Sequence, residues 1–540
     1  MTDFLWWRDG IVYQIYPRSF MDSSNDGLGD LPGITSKLDY LADLGMDALW
    51  LSPIYPSPDK DFGYDVSDYV EIDPRFGTLA DFDRLLSEAH QRDIRIILDL
   101  VLNHTSDEHA WFLESRSSRD NPTADWYIWS PAVEGEEGAG KQAGPPNNWQ
   151  SVFGGPAWTY VPERDQYYFH MFDPGQPDVN WRNPEVRKAV LDSVRFWLER
   201  GVDGFRLDVF NVYFKDEKLR DNPRKLIGRR SFDRQIHIYD CDQPEMVELL
   251  QELRSILDEY PESYAVGETF FPSRDKLITY CGVDRLHAAF NFDFTWSKFD
   301  PARYAQHILA WEDLYAQQGI WPNYVLGNHD VPRMASRHTR SERDARLKVL
   351  MTMLLTVRGT PYLYYGEEIG MRNITLRRDQ IMDPPGKKFW PIYKGRDGYR
   401  SPMQWNDSKY AGFSSAEPWL PVHPNYHERN VEDQLEDPDS LLNFTKRLID
   451  IRREQVALQH GDFQLLTMEP TDSLAYLRKH EGKTFLVALN FKDRRAKVPG
   501  IPEGNWKVQI STHREAGKEI ASSDCVLQLA PYEALILELT

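Results

Sequence analysis

From Gly10 to about Met371, short apolar runs alternate with longer amphipathic stretches. The runs are Ile11 to Tyr16, Ala48 to Leu51, Ile94 to Leu98, Val202 to Leu207, Tyr264 to Val266, Ala288 to Phe292, Asn323 to Leu326 and Tyr362 to Tyr365. Each is short and nearly all apolar, as a strand covered on both faces must be. The stretches between them carry helix signals. Thr78 and Asp81 make a capping-box-like start before DFDRLLSEAHQRD, and Asn183 with Pro184 opens EVRKAVLDSVRFWLER, which Gly201 stops. Eight strand-and-helix repeats predict an α/β fold, a (β/α)8 barrel of TIM type.

Two segments break the alternation. Residues 104–173 are rich in Gly, Pro, Asn and Trp with little period, and read as a small domain inserted after the third strand, over the barrel rim. Arg372 to Trp405 is a long irregular excursion after the eighth strand, of the kind that is usually functional. Beyond a helix around Ser440 to Gln455, SLAYLRK, TFLVALNF and EALILEL read as strands of a C-terminal antiparallel β-sandwich. The expected organisation is a barrel from 1–103 and 174–460, an insertion from 104–173 and a sandwich from 461–540.

Three of the apolar runs stop at an acid: Asp208 in GFRLD, Glu268 in AVGET and Asp330 in GNHD. In a parallel barrel the strands' carboxyl ends converge on one rim. Carboxylates gathered there suit glycosidic bond cleavage, which needs an anion facing an oxocarbenium-like transition state and a proton donor on the leaving oxygen. Arg206 lies two residues before Asp208 and shares its face of the strand, so it favours the ionised aspartate. Glu268 must begin protonated, and burial beside the Asp208 charge raises its pKa toward that need. Asp99 and His104 in DLVLNH, and Asn328 and His329 before Asp330, bring further polar groups to the same rim.

Composition narrows the partners. A net charge of -21 argues against nucleic acid and anionic membrane, both of which call for a basic surface. The substrate is expected to be small and neutral. Cys241, Cys281 and Cys525 are odd in number and without CxxC pairing, so free thiols in a reducing, cytoplasmic setting are expected. No run of about eighteen apolar residues points to a membrane span, and no Gly-rich phosphate loop asks for an organic cofactor.

The loop DSSNDGLGD places oxygen-bearing side chains at alternate positions between glycines. Asp22, Ser24, Asp26 and Asp30, with the Leu28 carbonyl, form a candidate structural site for Ca2+ or Mg2+.

QIYPRSF at Gln14 to Phe20, DLVLNH at Asp99 to His104, QPDVN at Gln176 to Asn180, GFRLD, GET at Gly267 to Thr269 and NHD at Asn328 to Asp330 follow the order found in glycoside hydrolase family 13. With FGYDVSDY at Phe62 to Tyr69 and GRDGYRSPMQW at Gly395 to Trp405, the chain resembles the alpha-glucosidase and oligo-1,6-glucosidase branch over essentially its whole length. The resemblance implies that Asp208 is the nucleophile, Glu268 the acid/base and Asp330 the transition-state stabiliser. It implies that Tyr64, Asp65, His104, Arg206, His329 and Arg400 grip a terminal glucose, with Asp65 and Arg400 closing the pocket beyond its nonreducing end. Related enzymes carry a cation at the Asp22 to Asp30 loop, usually with Asn where Ser24 stands. Val209 resembles the oligo-1,6 members, and Gly327 replaces the more usual Ser or Thr. Aglycone contacts are expected from Phe270 to Asp275, Asn211 to Arg230 and Arg372 to Arg396. The implied activity is retaining, exo-acting hydrolysis of small neutral alpha-glucosides, with transfer to sugar or alcohol acceptors. An isomerase that recaptures its own leaving sugar, and a transporter-associated relative without activity, are the alternatives.

Overall fold

The computed structural model describes residues 4–133, 144–270, 274–339, 344–466, 472–522 and 525–540. Eight strands form one parallel sheet: β1 (Val12–Ile15), β2 (Ala48–Leu51), β3 (Arg95–Leu100), β4 (Gly204–Leu207), β5 (Tyr264–Gly267), β6 (Ala288–Ala289), β7 (Asn323–Val325) and β8 (Thr360–Tyr364). Their order is β7-β8-β1-β2-β3-β4-β5-β6, so the chain winds once around a (β/α)8 barrel. At the seam between β6 and β7 the Asn323 side chain stands in for the ladder, donating to the Ala289 carbonyl at 2.9 Å and accepting from Asn291 N–H at 3.1 Å.

Side-chain alternation divides the barrel interior into layers. Val12, Ala48, Trp50, Ile97, Tyr264, Val266, Val325 and Tyr362 share one apolar cluster with Trp6 and Phe290. One step further along the same inward faces, Ile97 gives way to Asp99, and Val266 to Glu268; β4 continues through Arg206 to Asp208. Charge therefore begins where the apolar plug ends. The neighbouring positions on each strand, such as Tyr13, Leu49 and Phe205, pack outward against the helices.

The expected helix signals hold. Thr78 and Asp81 close a reciprocal capping box on Leu79–His90, and Asn183 caps Pro184–Glu199, which leads through left-handed Gly201 into β4. Within 104–173 the sequence concealed a helix, Ala110–Ser117, and a three-stranded antiparallel sheet of Trp129–Pro131, Trp158–Val161 and Gln166–Phe169. Its aromatic core, including Trp149, Trp158, Phe169 and Phe172, is continuous with Val209 and Val212 just after Asp208. The insertion is thus packed directly onto the segment that carries the central acid. From Asp462 onward a six-stranded antiparallel sheet faces a two-stranded one, with Trp506, Leu477, Leu486 and Leu535 between them. The other face of the large sheet, through Tyr476, Val487 and Ile536, joins the barrel core.

Among the described residues no helix is long and apolar enough to cross a membrane. Cys241 and Cys281 are buried and all three cysteines are free.

Candidate active site

A cavity of about 190 Å³ opens at the carboxyl ends of the strands, and Asp208, Glu268 and Asp330 all line it. Beneath them Arg206, 1% exposed, acts as a hub. One of its terminal nitrogens donates to Asp99 at 2.6 Å and Asp208 at 2.7 Å, and the other donates to Glu268. Asp99 also accepts from the Tyr64 hydroxyl at 3.0 Å and the Trp50 indole at 3.3 Å.

The site drives the acids apart electrostatically. Burial pushes the Glu268 carboxyl up to about 8; Arg206 opposes this, while the nearby Asp208, Asp330 and Asp99 charges reinforce it. Burial likewise raises Asp99 against the pull of Arg206. Asp330 goes the other way: burial disfavours its charge, but His329, Arg396 and Arg400 outweigh it and hold the carboxyl well below the usual range. Burial takes His329 down to about 3, so it is neutral at working pH. Gln14 holds its Nδ1 at 2.7 Å, and its Nε2 lies 2.6 Å from the Tyr64 hydroxyl, with the two rings stacked. If Gln14 donates to Nδ1, then Nε2–H donates to Tyr64, whose proton goes to Asp99.

The predicted glucose-binding residues divide into three groups. Tyr64 and His104 line the cavity. Arg206, His329 and Arg400 lie beneath its surface and hold what lines it; Arg400 donates to Asp330 at 2.8 Å and to the His329 carbonyl at 2.9 Å. Asp65 does neither. It is fully buried, with its oxygens accepting from Ser57 and from the backbone N–H of Lys60 and Asp61 at 2.8–3.0 Å.

Asp61 and Arg396 also line the cavity. Arg396 donates to Asp61, contacts Asp330 at 3.3 Å, and is anchored on buried Asp383 at 2.8 Å. Both residues stand within or beside the quoted motifs, Asp61 just before FGYD and Arg396 inside GRDGYR. Sequence reasoning missed Val152, Phe153 and Phe172, which line the cavity together with Val209 and Phe270. Of the expected aglycone loops, 271–273 lie outside the described residues. Gly327 is explained by close approach: a Cβ there would sit 2.6 Å from a carboxylate oxygen of buried Glu367.

The Asp22 to Asp30 loop closes on itself. Asp22 accepts from the N–H of Asn25 and Gly27 at 2.7 and 2.9 Å and from the hydroxyls of Ser24 and Ser414. Asp30 accepts from the N–H of Ser23, Ser24 and Gly33, and Asp26 turns to Leu28 N–H. Among the described residues no three His, Cys, Asp or Glu side chains converge as a metal site.

An acid kept protonated, a carboxylate beside it and a second anion held by guanidinium groups, all in one cavity on a barrel rim, define a glycoside hydrolase. The alpha amylase catalytic-domain family model matches residues 14–461, and the chain belongs to that family. A probable alpha-glucosidase of Rhizobium meliloti is 44% identical over 506 residues, 91% of this chain and 90% of that one. An oligo-1,6-glucosidase of Parageobacillus thermoglucosidasius is 41% identical over 91% of each chain. Among solved structures, an alpha-glucosyl transfer enzyme superposes with a TM-score of 0.91 at 41% identity over 100% of both chains.

Proposed function

We propose that this chain is a retaining, exo-acting alpha-glucosidase that removes terminal glucose from short alpha-glucosides and passes it to water or to acceptor hydroxyls. One observation carries the retaining assignment: Asp208 and Glu268 share the two nitrogens of a single guanidinium. Carboxylates held on one fork suit the spacing of about 5 Å of a direct nucleophile, rather than the roughly 6.5–9.5 Å that admits a water between them.

In this reading Asp208 attacks C1 while protonated Glu268 gives its proton to the leaving oxygen. Esterification removes the Asp208 charge that raised Glu268, so Glu268 becomes the better acid and its carboxylate then takes a proton from the incoming hydroxyl. Asp330, kept ionised by Arg396 and Arg400, faces the positive charge that develops on the sugar ring. Tyr64 and His104 bind the glucose, and Arg206, His329 and Arg400 position the acids. The Asp61–Arg396 pair closes the pocket beyond the nonreducing end, which leaves room for one terminal unit.

Val209 lines the cavity directly after Asp208. Its resemblance to the oligo-1,6 members favours alpha-1,6 linkages, and the expected setting is cytoplasmic. Initial rates of glucose release from isomaltose, maltose, sucrose and a nitrophenyl alpha-glucoside test the reading, with Asp208→Asn beside the wild type. The variant is expected to lose at least about 10⁴-fold in kcat, and isomaltose to outrun maltose. Undiminished turnover in Asp208→Asn would remove the nucleophile assignment.

A further inference from the structure

The backbone just behind Asp208 is held in an unusual shape. Val209 is left-handed, with φ 36° and ψ 40°, a conformation that β-branched residues rarely adopt. It leads into the 3₁₀ turn Phe210–Val212. The start of the turn is held by Phe210, whose N–H donates to the Glu268 carbonyl at 3.2 Å. Its end is held by Lys215, whose ammonium donates to the Val212 carbonyl.

That ammonium is 1% exposed, and a cation so deeply buried requires partners. Besides Val212 it donates to the Asp178 carboxylate at 2.5 Å and to the Asn103 side-chain oxygen at 2.8 Å, which occupies all three of its N–H groups. Asp178 and Asn103 are also fully buried. The second oxygen of Asp178 accepts from Met171 N–H at 2.8 Å, in the inserted segment. Asn103 turns its amide nitrogen to Asp178 at 2.8 Å and to His104 Nδ1 at 3.1 Å. His104 Nε2 lies 2.8 Å from the Tyr64 carbonyl, which can only accept, so Nε2 carries the proton and Nδ1 accepts from Asn103. One cation thus joins the turn behind Asp208 to a ring that lines the cavity.

We infer that Lys215 is a positioning residue for the reaction, setting the backbone that carries Asp208 and the His104 ring from a single ammonium. Lys215 does not line the cavity. It acts through Val212 on the nucleophile's turn and through Asn103 on the glucose-binding ring. The place calls for lysine, since three donors spreading from one atom meet three oxygens, which the flat fork of an arginine does not reproduce. The inference rests on the glucosidase reading above and adds to it a residue outside the cavity.

Lys215→Met alone leaves the buried Asp178 unpaired, so the test uses the double variant Lys215→Met with Asp178→Asn, a neutral pair of similar shape. Its melting temperature is expected to stay within about 5 °C of the wild type. On a nitrophenyl alpha-glucoside it is nevertheless expected to lose about 10²-fold in kcat, as a displaced nucleophile does, and inhibition by free glucose should weaken about fivefold. Asn103→Ala keeps the Lys215–Asp178 pair and cuts the arm to His104. It should weaken glucose inhibition about fivefold while kcat stays within about threefold of wild type. A folded double variant with wild-type kcat and wild-type glucose inhibition overturns the inference, because a merely structural lysine is replaced without kinetic loss once stability is restored. If the double variant does not fold, Asn103→Ala decides: unchanged glucose inhibition overturns the inference, and weakened inhibition at near-normal kcat supports it. Absence of glucose release by the wild type from every donor instead overturns the underlying glucosidase reading.

Discussion

The closed end and the open side of the pocket are built by opposite means. At the closed end the mostly buried Arg396 meets three carboxylates, Asp61, Asp330 and Asp383, and Arg400 shares Asp330 with it. The open side is Val209, Phe172 and Phe270, carried by backbone hydrogen bonds from Asn211 and Ser151. Fixed charges in a low-dielectric pocket discriminate steeply, since a hydroxyl out of place leaves a buried ion unsatisfied. Apolar contact discriminates gently, by about 1 to 3 kcal/mol per group. The charged part of the pocket is therefore expected to discriminate more steeply than the apolar part.

Breaking the closed end should have the larger effect. Removing one partner of a buried ion pair costs about 3–5 kcal/mol. Arg396→Ala is accordingly expected to lower kcat/KM by about 10²–10³-fold for every glucoside, whatever its aglycone. Asp65→Asn provides the contrast: it changes a residue that braces the backbone of the same loop without lining the cavity, so it should lower the melting temperature and leave KM within about twofold. A KM rise in Asp65→Asn comparable to that of Arg396→Ala would return Asp65 to the sugar site.

The pH profile separates the acids from both walls. Glu268 is raised and must be protonated for the first step, so that step is intact below about pH 8 and is lost as pH rises through that value. The rate kcat/KM should fall about tenfold per pH unit on the alkaline limb, equally for aryl and sugar aglycones. A flat profile to pH 10 would contradict the protonated Glu268. On the open side, Phe172→Ala should lower kcat/KM about tenfold or less for a nitrophenyl glucoside, with inhibition by free glucose unchanged. The smallest effect is expected at the Asp22 to Asp30 loop, which closes by its own hydrogen bonds. Chelation should move the melting temperature by less than about 1 °C, whereas a fall of several degrees with stoichiometric metal in the untreated protein would show that the loop holds a cation.

The barrel was legible because its strands are buried on both faces and write nearly unbroken apolar runs, each ending where charge begins. The three central acids were legible for the same reason. The closed end was not. Asp61 and Asp65 flank Phe62 and Gly63, both with positive φ, and this reversal turns Asp65 back onto the N–H groups of residues 60 and 61 while Asp61 reaches the cavity. No periodicity in a loop of that kind reveals which acid faces inward. Arg396 and Arg400 pose the same problem on either side of the 3₁₀ turn Asp397–Tyr399. Both touch Asp330, but only Arg396 borders the cavity. The insertion's sheet was hidden because its strands are three or four residues long and lean on aromatic packing rather than alternation.

The central claim is that Asp208 and Glu268 act on opposite sides of one sugar as nucleophile and acid/base. Proton NMR of the glucose first released from a nitrophenyl alpha-glucoside, whose leaving group is not a sugar, recorded before mutarotation, tests it directly. The account predicts the alpha anomer at the earliest times, the product of two inversions at C1. Initial appearance of the beta anomer would show a single displacement by water and contradict it.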